Sequence, residues 1–181
     1  MTSRRRVTIA LAAGTAAALA IAVQVRAGGD KVAYPANYAQ GVLYATVDRA
    51  DNKQYRELYT SQAAIDAAKK GQPLPNGTVI TLVAYAAQLD AQGNPVKDAN
   101  GRFIKANIVA INAMEKRPGW GTEYPDNVRN GEWEYQAFRP DGTPNAGANL
   151  QACFTCHKPL GEAKDFVFSY ERLSAGPAAT R

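Results

Sequence analysis

The run Cys153-Phe154-Thr155-Cys156-His157 constrains this 181-residue chain more than any other feature. It contains both cysteines and the only histidine of the sequence. C-x-x-C-H is the attachment pattern of a c-type haem. Two thiols three residues apart share one helical face, so each can bond one vinyl group of the same porphyrin. The next residue then offers its imidazole to the iron. A structural zinc site needs four ligands, and only three Cys and His exist here. A thioredoxin-type pair would follow an early strand of a βαβ unit. A plain disulfide would leave His157 without a reason. The motif therefore predicts one haem c, bonded through Cys153 and Cys156 and ligated by His157.

The amino terminus agrees with that chemistry. Arg4-Arg5-Arg6 precede an apolar run from Thr8 to Val23, and Val25-Arg26-Ala27 ends it with a small residue. This is the pattern of a secretory signal cleaved near Ala27, with a retained anchor as the alternative. Residues 1–27 are read as the signal and 28–181 as one domain, periplasmic or otherwise exported. The 21 basic and 16 acidic residues give a net charge of +5. Four of the arginines lie in the leader, leaving 17 basic residues against the same 16 acidic ones. The folded part carries no basic excess, so a nucleic-acid partner is not expected.

Strand patterns dominate the rest. Val42–Val47, Tyr55–Tyr59, Thr78–Leu89, Arg102–Met114, Glu132–Arg139 and Asp165–Tyr170 read as extended, the last with Phe166 and Phe168 on one face. Helical stretches are expected from Tyr34 to about Gln40, from Gln62 to Lys70 behind a Ser61 cap, and from Asn145 to Cys156. The fold class is α+β: a mostly antiparallel, twisted sheet with short helices and a carboxy-terminal haem-attachment helix.

The iron's second axial ligand is restricted by the same counts. With no second histidine, bis-histidine ligation is excluded. Met114 is the only methionine left after the leader, either as a sixth ligand or as an ordinary core residue. The favoured reading is an open or weakly ligated iron. Trp120, between Gly119 and Gly121, is read either as a haem wall or as a corner anchor. Arg56 and Arg102 are candidate partners of the haem propionates.

The ordered combination Tyr34-Pro35-Ala36-Asn37-Tyr38, Leu74-Pro75-Asn76-Gly77-Thr78-Val79-Ile80, Gly119-Trp120-Gly121, Cys153 to Pro159 and Asp165-Phe166-Val167-Phe168 resembles the cytochrome P-460 family, which includes the cytochromes c′-β. The likeness runs from about Tyr34 to Leu173. It implies an antiparallel sheet with helices, one c-haem and often a homodimer, with a redox protein as a further partner. Some members carry a lysine bonded to the haem edge and oxidise hydroxylamine. The c′-β kind has a five-coordinate haem and an apolar distal side, and binds nitric oxide. Ungapped spacing back from His157 places the lysine position at about Ala87, within Val83-Ala84-Tyr85-Ala86-Ala87-Gln88, where no lysine occurs. Lys97, Lys105 and Lys116 lie elsewhere, and Gly147-Ala148-Asn149 stands where oxidising members place a carboxylate. The expectation is a nitric-oxide-binding cytochrome with an apolar pocket free of acids and amides. The alternatives are a hydroxylamine oxidase, for which Glu115 is the nearest base, and an electron carrier using Met114.

Overall fold

In the computed structural model the described residues are 31–176. The leader falls outside them. Five strands form one antiparallel sheet in the order of the chain: β1 (Val42–Arg49), β2 (Gln54–Thr60), β3 (Val79–Ala87), β4 (Lys105–Lys116) and β5 (Trp133–Phe138). Three helices accompany it, α1 (Gln62–Lys69), α2 (Leu150–His157) and α3 (Tyr170–Ala175). The architecture is the expected α+β one. No helix among the described residues is long and apolar enough to cross a membrane.

Register divides the sheet into two faces. Ile80 pairs with Met114 and Met114 with Tyr135, so all three point to one side. Leu58 pairs with Leu82 on that same side. This face carries the larger core, which includes Trp133 of β5 and takes in Ile65, Leu74, Phe154, Phe166 and Leu173 from the helices and loops above it. Ser61 caps α1 by accepting from the Ala64 amide at 3.2 Å, and Ala64, Ile65 and Ala68 turn inward against α3. The opposite face holds a smaller cluster of Val32, Val83, Ile111, Ala113 and Phe138.

Several boundaries differ from the sequence reading. The bulge between Leu43 and Ala45 breaks the alternation in β1, so Tyr44 and Ala45 are both buried and Leu43 is exposed. The amino-terminal helical segment is only a 3-10 turn over Tyr38–Gln40. Helix α2 starts at Leu150, not Asn145, because residues before it are committed elsewhere: Pro144 bridges to Phe138, and the Asn145 amide donates to the Ala137 carbonyl. Asp165–Tyr170 is not a strand. Asp165 and Phe166 have φ of 46° and 57°, and this left-handed pair turns the chain where a strand would continue. Phe166 is buried and Phe168 is 55% exposed, and α3 then begins at Tyr170.

The smaller face also buries charge. Glu57 receives Lys105 Nζ at 2.7 Å and the Tyr59 hydroxyl at 2.8 Å. Burial pushes its carboxyl up, but hydrogen bonds from Lys105, Tyr59 and Tyr85 outweigh this and leave it below its ordinary value. A carboxyl lowered on folding stabilises the protein above its unfolded pKa, and that contribution is lost as pH falls through the folded value. Glu57→Gln is therefore expected to be less stable than wild type at neutral pH. The gap in denaturation midpoint should close as pH falls through the ordinary carboxylate range and below it. A gap constant across that range contradicts the assignment.

Candidate functional site

Helix α2 lies against the sheet face that carries Met114 and Tyr135, and Phe154 is what fixes it there. Phe154 is fully buried, with Tyr124 and Tyr135 each at a centroid distance of 4.8 Å in edge contact. Asn130, also buried, donates to the Tyr135 hydroxyl at 2.9 Å and to the Phe154 carbonyl at 3.1 Å. With Phe154 turned inward, the neighbouring Cys153 and Cys156 border a cavity between α2 and the sheet. Cys153 is half-buried and Cys156 exposed, and both thiols are free. Burial pushes the Cys153 thiol up, and the neighbouring Cys156 adds to this.

His157 is held from three directions. Its ring packs on Tyr135 and on Phe168, each at 4.9 Å, with the Phe168 contact edge-on. Its Nδ1 lies 2.7 Å from the Phe166 carbonyl. A carbonyl only accepts, so Nδ1 carries the proton and Nε2 keeps its lone pair. Burial lowers the imidazole pKa, against the opposing bond to Phe166, and favours the neutral ligand form.

The cavity has a volume of about 390 Å³ and is bordered by Arg56, Leu58, Ile80, Leu82, Met114 and Phe168 as well as the motif residues. Two thiols and a neutral imidazole from one helix, over a mostly apolar wall, are the donors and surroundings a c-type haem requires. Of the predicted site residues, the structure brings together Cys153, Cys156, His157 and Met114. Ala87 and Trp120 are not on this cavity. Ala87 pairs with Lys105 at the far end of β3, and the residues β3 turns toward the cavity are Ile80 and Leu82. Trp120 packs with the cluster on the opposite sheet face, where Lys31 and Arg117 approach its ring.

The wall is less uniform than expected. Among the described residues no acid and no lysine borders the cavity, but Asn112 does, and strand register puts its side chain on the Met114 face. Arg56 stands at the same rim, donating to Gln54 Oε1 at 3.0 and 2.8 Å. Burial lowers its pKa, and the nearby Arg49 adds to this. Gln136 also borders the cavity, although it pairs with Ala113 on the other face, and its Oε1 accepts from the Ala137 amide. Arg102 is committed to Asp48 and Thr46. Glu115 is paired with Arg117 at 2.6 Å, on the strand positions that face away from the cavity.

Sequence reasoning missed Leu58, Leu82, Asn112, Tyr135 and Asn130. The first three carry a signal, since each sits two residues from, or directly across from, another cavity position. Tyr135 carries the same signal, standing directly across from Met114, whereas Asn130 carries none, because its role arises only from packing against α2.

Comparison with curated proteins yields no match. The Cytochrome P460 family model matches residues 35–169, which spans the sheet, the cavity wall and helix α2. The chain belongs to the cytochrome P460 family and is a haem-binding cytochrome.

Proposed function

We propose that this is an exported, mono-haem c-type cytochrome with thioether bonds at Cys153 and Cys156, His157 as axial ligand and an open second axial position that takes nitric oxide. The observation that carries this reading is the cavity itself: thiols and a neutral imidazole from one helix, facing a wall to which the described residues contribute no lysine and no acid. Export rests on the pattern of the first 27 residues. A homodimer and a redox-protein partner rest on the family.

When bound, the haem supplies a ferrous iron able to take a small uncharged ligand. The chain's own groups account for the selectivity. Phe166 and the flanking rings of Tyr135 and Phe168 hold the imidazole with Nε2 free. Leu58, Ile80, Leu82 and Met114 keep water from the wall. Arg56 at the rim is suited to a haem propionate. Hydroxylamine oxidation must remove protons, and the carboxylates next to cavity positions in sequence are engaged on the opposite face, Glu57 with Lys105 and Glu115 with Arg117. Slow turnover is expected for that reason.

A second reading, an electron carrier with Met114 as sixth ligand, is favoured by Met114 bordering the same cavity as His157. Against it, Met114 is a buried mid-sheet residue paired with Ile80 and Tyr135. It is held in the sheet by strand pairing on both sides rather than carried on a loop.

Two measurements test the proposal. The purified holoprotein should keep its haem through acid-acetone extraction, and its intact mass should equal the chain from Gly28 plus one haem. Peptide mapping should find porphyrin on Cys153 and Cys156 and on no lysine. Extraction of all the haem removes the covalent reading. Nitric oxide added to the ferrous protein should shift the Soret band in wild type and Met114→Ala alike, with hydroxylamine oxidised slowly or not at all. Reactivity that appears only in Met114→Ala establishes the electron-carrier reading.

A further inference from the structure

The carbonyl that faces His157 Nδ1 belongs to an unusual piece of backbone. Asp165 and Phe166 are consecutive non-glycine residues at φ of 46° and 57°. A bulky residue such as Phe takes that conformation only where its surroundings over-determine it. The turn is closed by the Phe166 amide donating to the Gly161 carbonyl at 2.9 Å and the Val167 amide to the Lys164 carbonyl at 2.9 Å. The Phe166 ring is seated on Gly131, where an added Cβ would come within 3.2 Å of it.

What over-determines the turn is the Asp165 side chain. Its carboxylate is buried, and four donor contacts converge on it. Lys116 Nζ reaches Oδ1 and Oδ2, both at 2.9 Å; Trp133 Nε1 reaches Oδ1 at 3.3 Å; and the Leu74 amide reaches Oδ2 at 2.8 Å. Lys116 ends β4, Trp133 begins β5, and Leu74 lies in the approach to β3. One side chain thus ties the 161–169 loop to three parts of the chain around one end of the sheet. Neither Lys116 nor Asp165 borders the haem cavity, and nothing in the motif chemistry requires them.

We propose that Asp165 is a positioning residue for the axial histidine, acting through the backbone of Phe166. The proposal rests on the haem reading given above. With Asp165 anchored, the Phe166 carbonyl keeps its aim at Nδ1, fixes the ring's rotation and increases the electron donation of Nε2. Lys116 and Trp133 are the anchors of that device. Tyr135 and Phe168 limit the ring's tilt, and the carbonyl is the group that hydrogen-bonds to it among the described residues.

The test is resonance Raman of the ferrous holoprotein, with the midpoint potential measured beside it. Asp165→Ala removes the carboxylate and should lower the Fe–His stretching frequency and raise the potential, because the histidine becomes a weaker donor. Asp165→Asn keeps one acceptor oxygen and tolerates left-handed backbone, but its NH2 meets donors, so both values should fall between those of wild type and Asp165→Ala. A folded Asp165→Ala with haem attached and both readouts at wild-type values overturns the proposal. Lys116→Gln keeps the carboxylate and loosens its anchor, so it carries the test where Asp165→Ala does not fold. A shift in the same direction supports the proposal, and unmoved readouts overturn it. Wild-type protein with no Fe–His band overturns the open-iron reading, and the midpoint potentials of the same variants then decide this proposal, which separates that failure from one confined to Asp165.

Discussion

The burial of Phe154 is the contact on which the site depends. Helix α2 has eight residues, too few to be stable alone, and its amino terminus has no side-chain cap. Its position must come from tertiary packing. The rings of Tyr124 and Tyr135 close on Phe154, and Asn130 bonds its carbonyl. Full burial of an aromatic side chain contributes about 1.5–3 kcal/mol, more than the intrinsic preference of so short a helix supplies. Because helical geometry is rigid, fixing Phe154 inward also fixes where Cys153, Cys156 and His157 stand. Of the two residues between the thiols, which the chemistry leaves unspecified, Phe154 is the one the fold uses as an anchor.

The sheet then divides its labour by face. Side chains alternate, so a single register gives one surface to the haem cavity and the main core and the other to the amino-terminal segment and to buried charge. Glu57 and Glu115 illustrate the consequence. Each is one residue away from a cavity position, Leu58 and Met114, yet each is paired with a cation on the far side. Sequence neighbours are therefore chemically remote, and a carboxylate close to the motif by count is no proton acceptor for it.

The same alternation explains what was legible beforehand. The motif residues were legible because their chemistry is local: five consecutive positions contain both thiols and the imidazole. Strands β3, β4 and β5 were legible from their β-branched and aromatic content. The cavity wall was not, because it depends on register. Ala87 was reached by ungapped counting, whereas the position that faces α2 depends on how the 88–104 arm folds back, with bridges between Leu89 and Pro95 and between Lys97 and Phe103. The aromatic alternation of Phe166 and Phe168 resembles a strand, but the contacts of Asp165 with Lys116, Trp133 and Leu74 impose a turn. Trp120 sits among glycines with φ of 78° and 79°, and the chain there turns toward the other face.

The cavity wall also bears on which branch of the family's chemistry this chain can support. A bond from a side chain to the haem edge needs a nucleophile that can lose a proton, as an amine does. The side chains β3 turns toward the cavity are Ile80 and Leu82, and both are inert hydrocarbons. Lys105 and Lys116 are the lysines of the adjacent strand, and their amines are bound to Glu57 and Asp165. The cation that does border the cavity is Arg56. Its guanidinium stays protonated throughout the physiological range, so it can pair with a carboxylate but cannot form that bond. Among the described residues no amine borders the cavity, whichever sequence position is matched to the family's lysine.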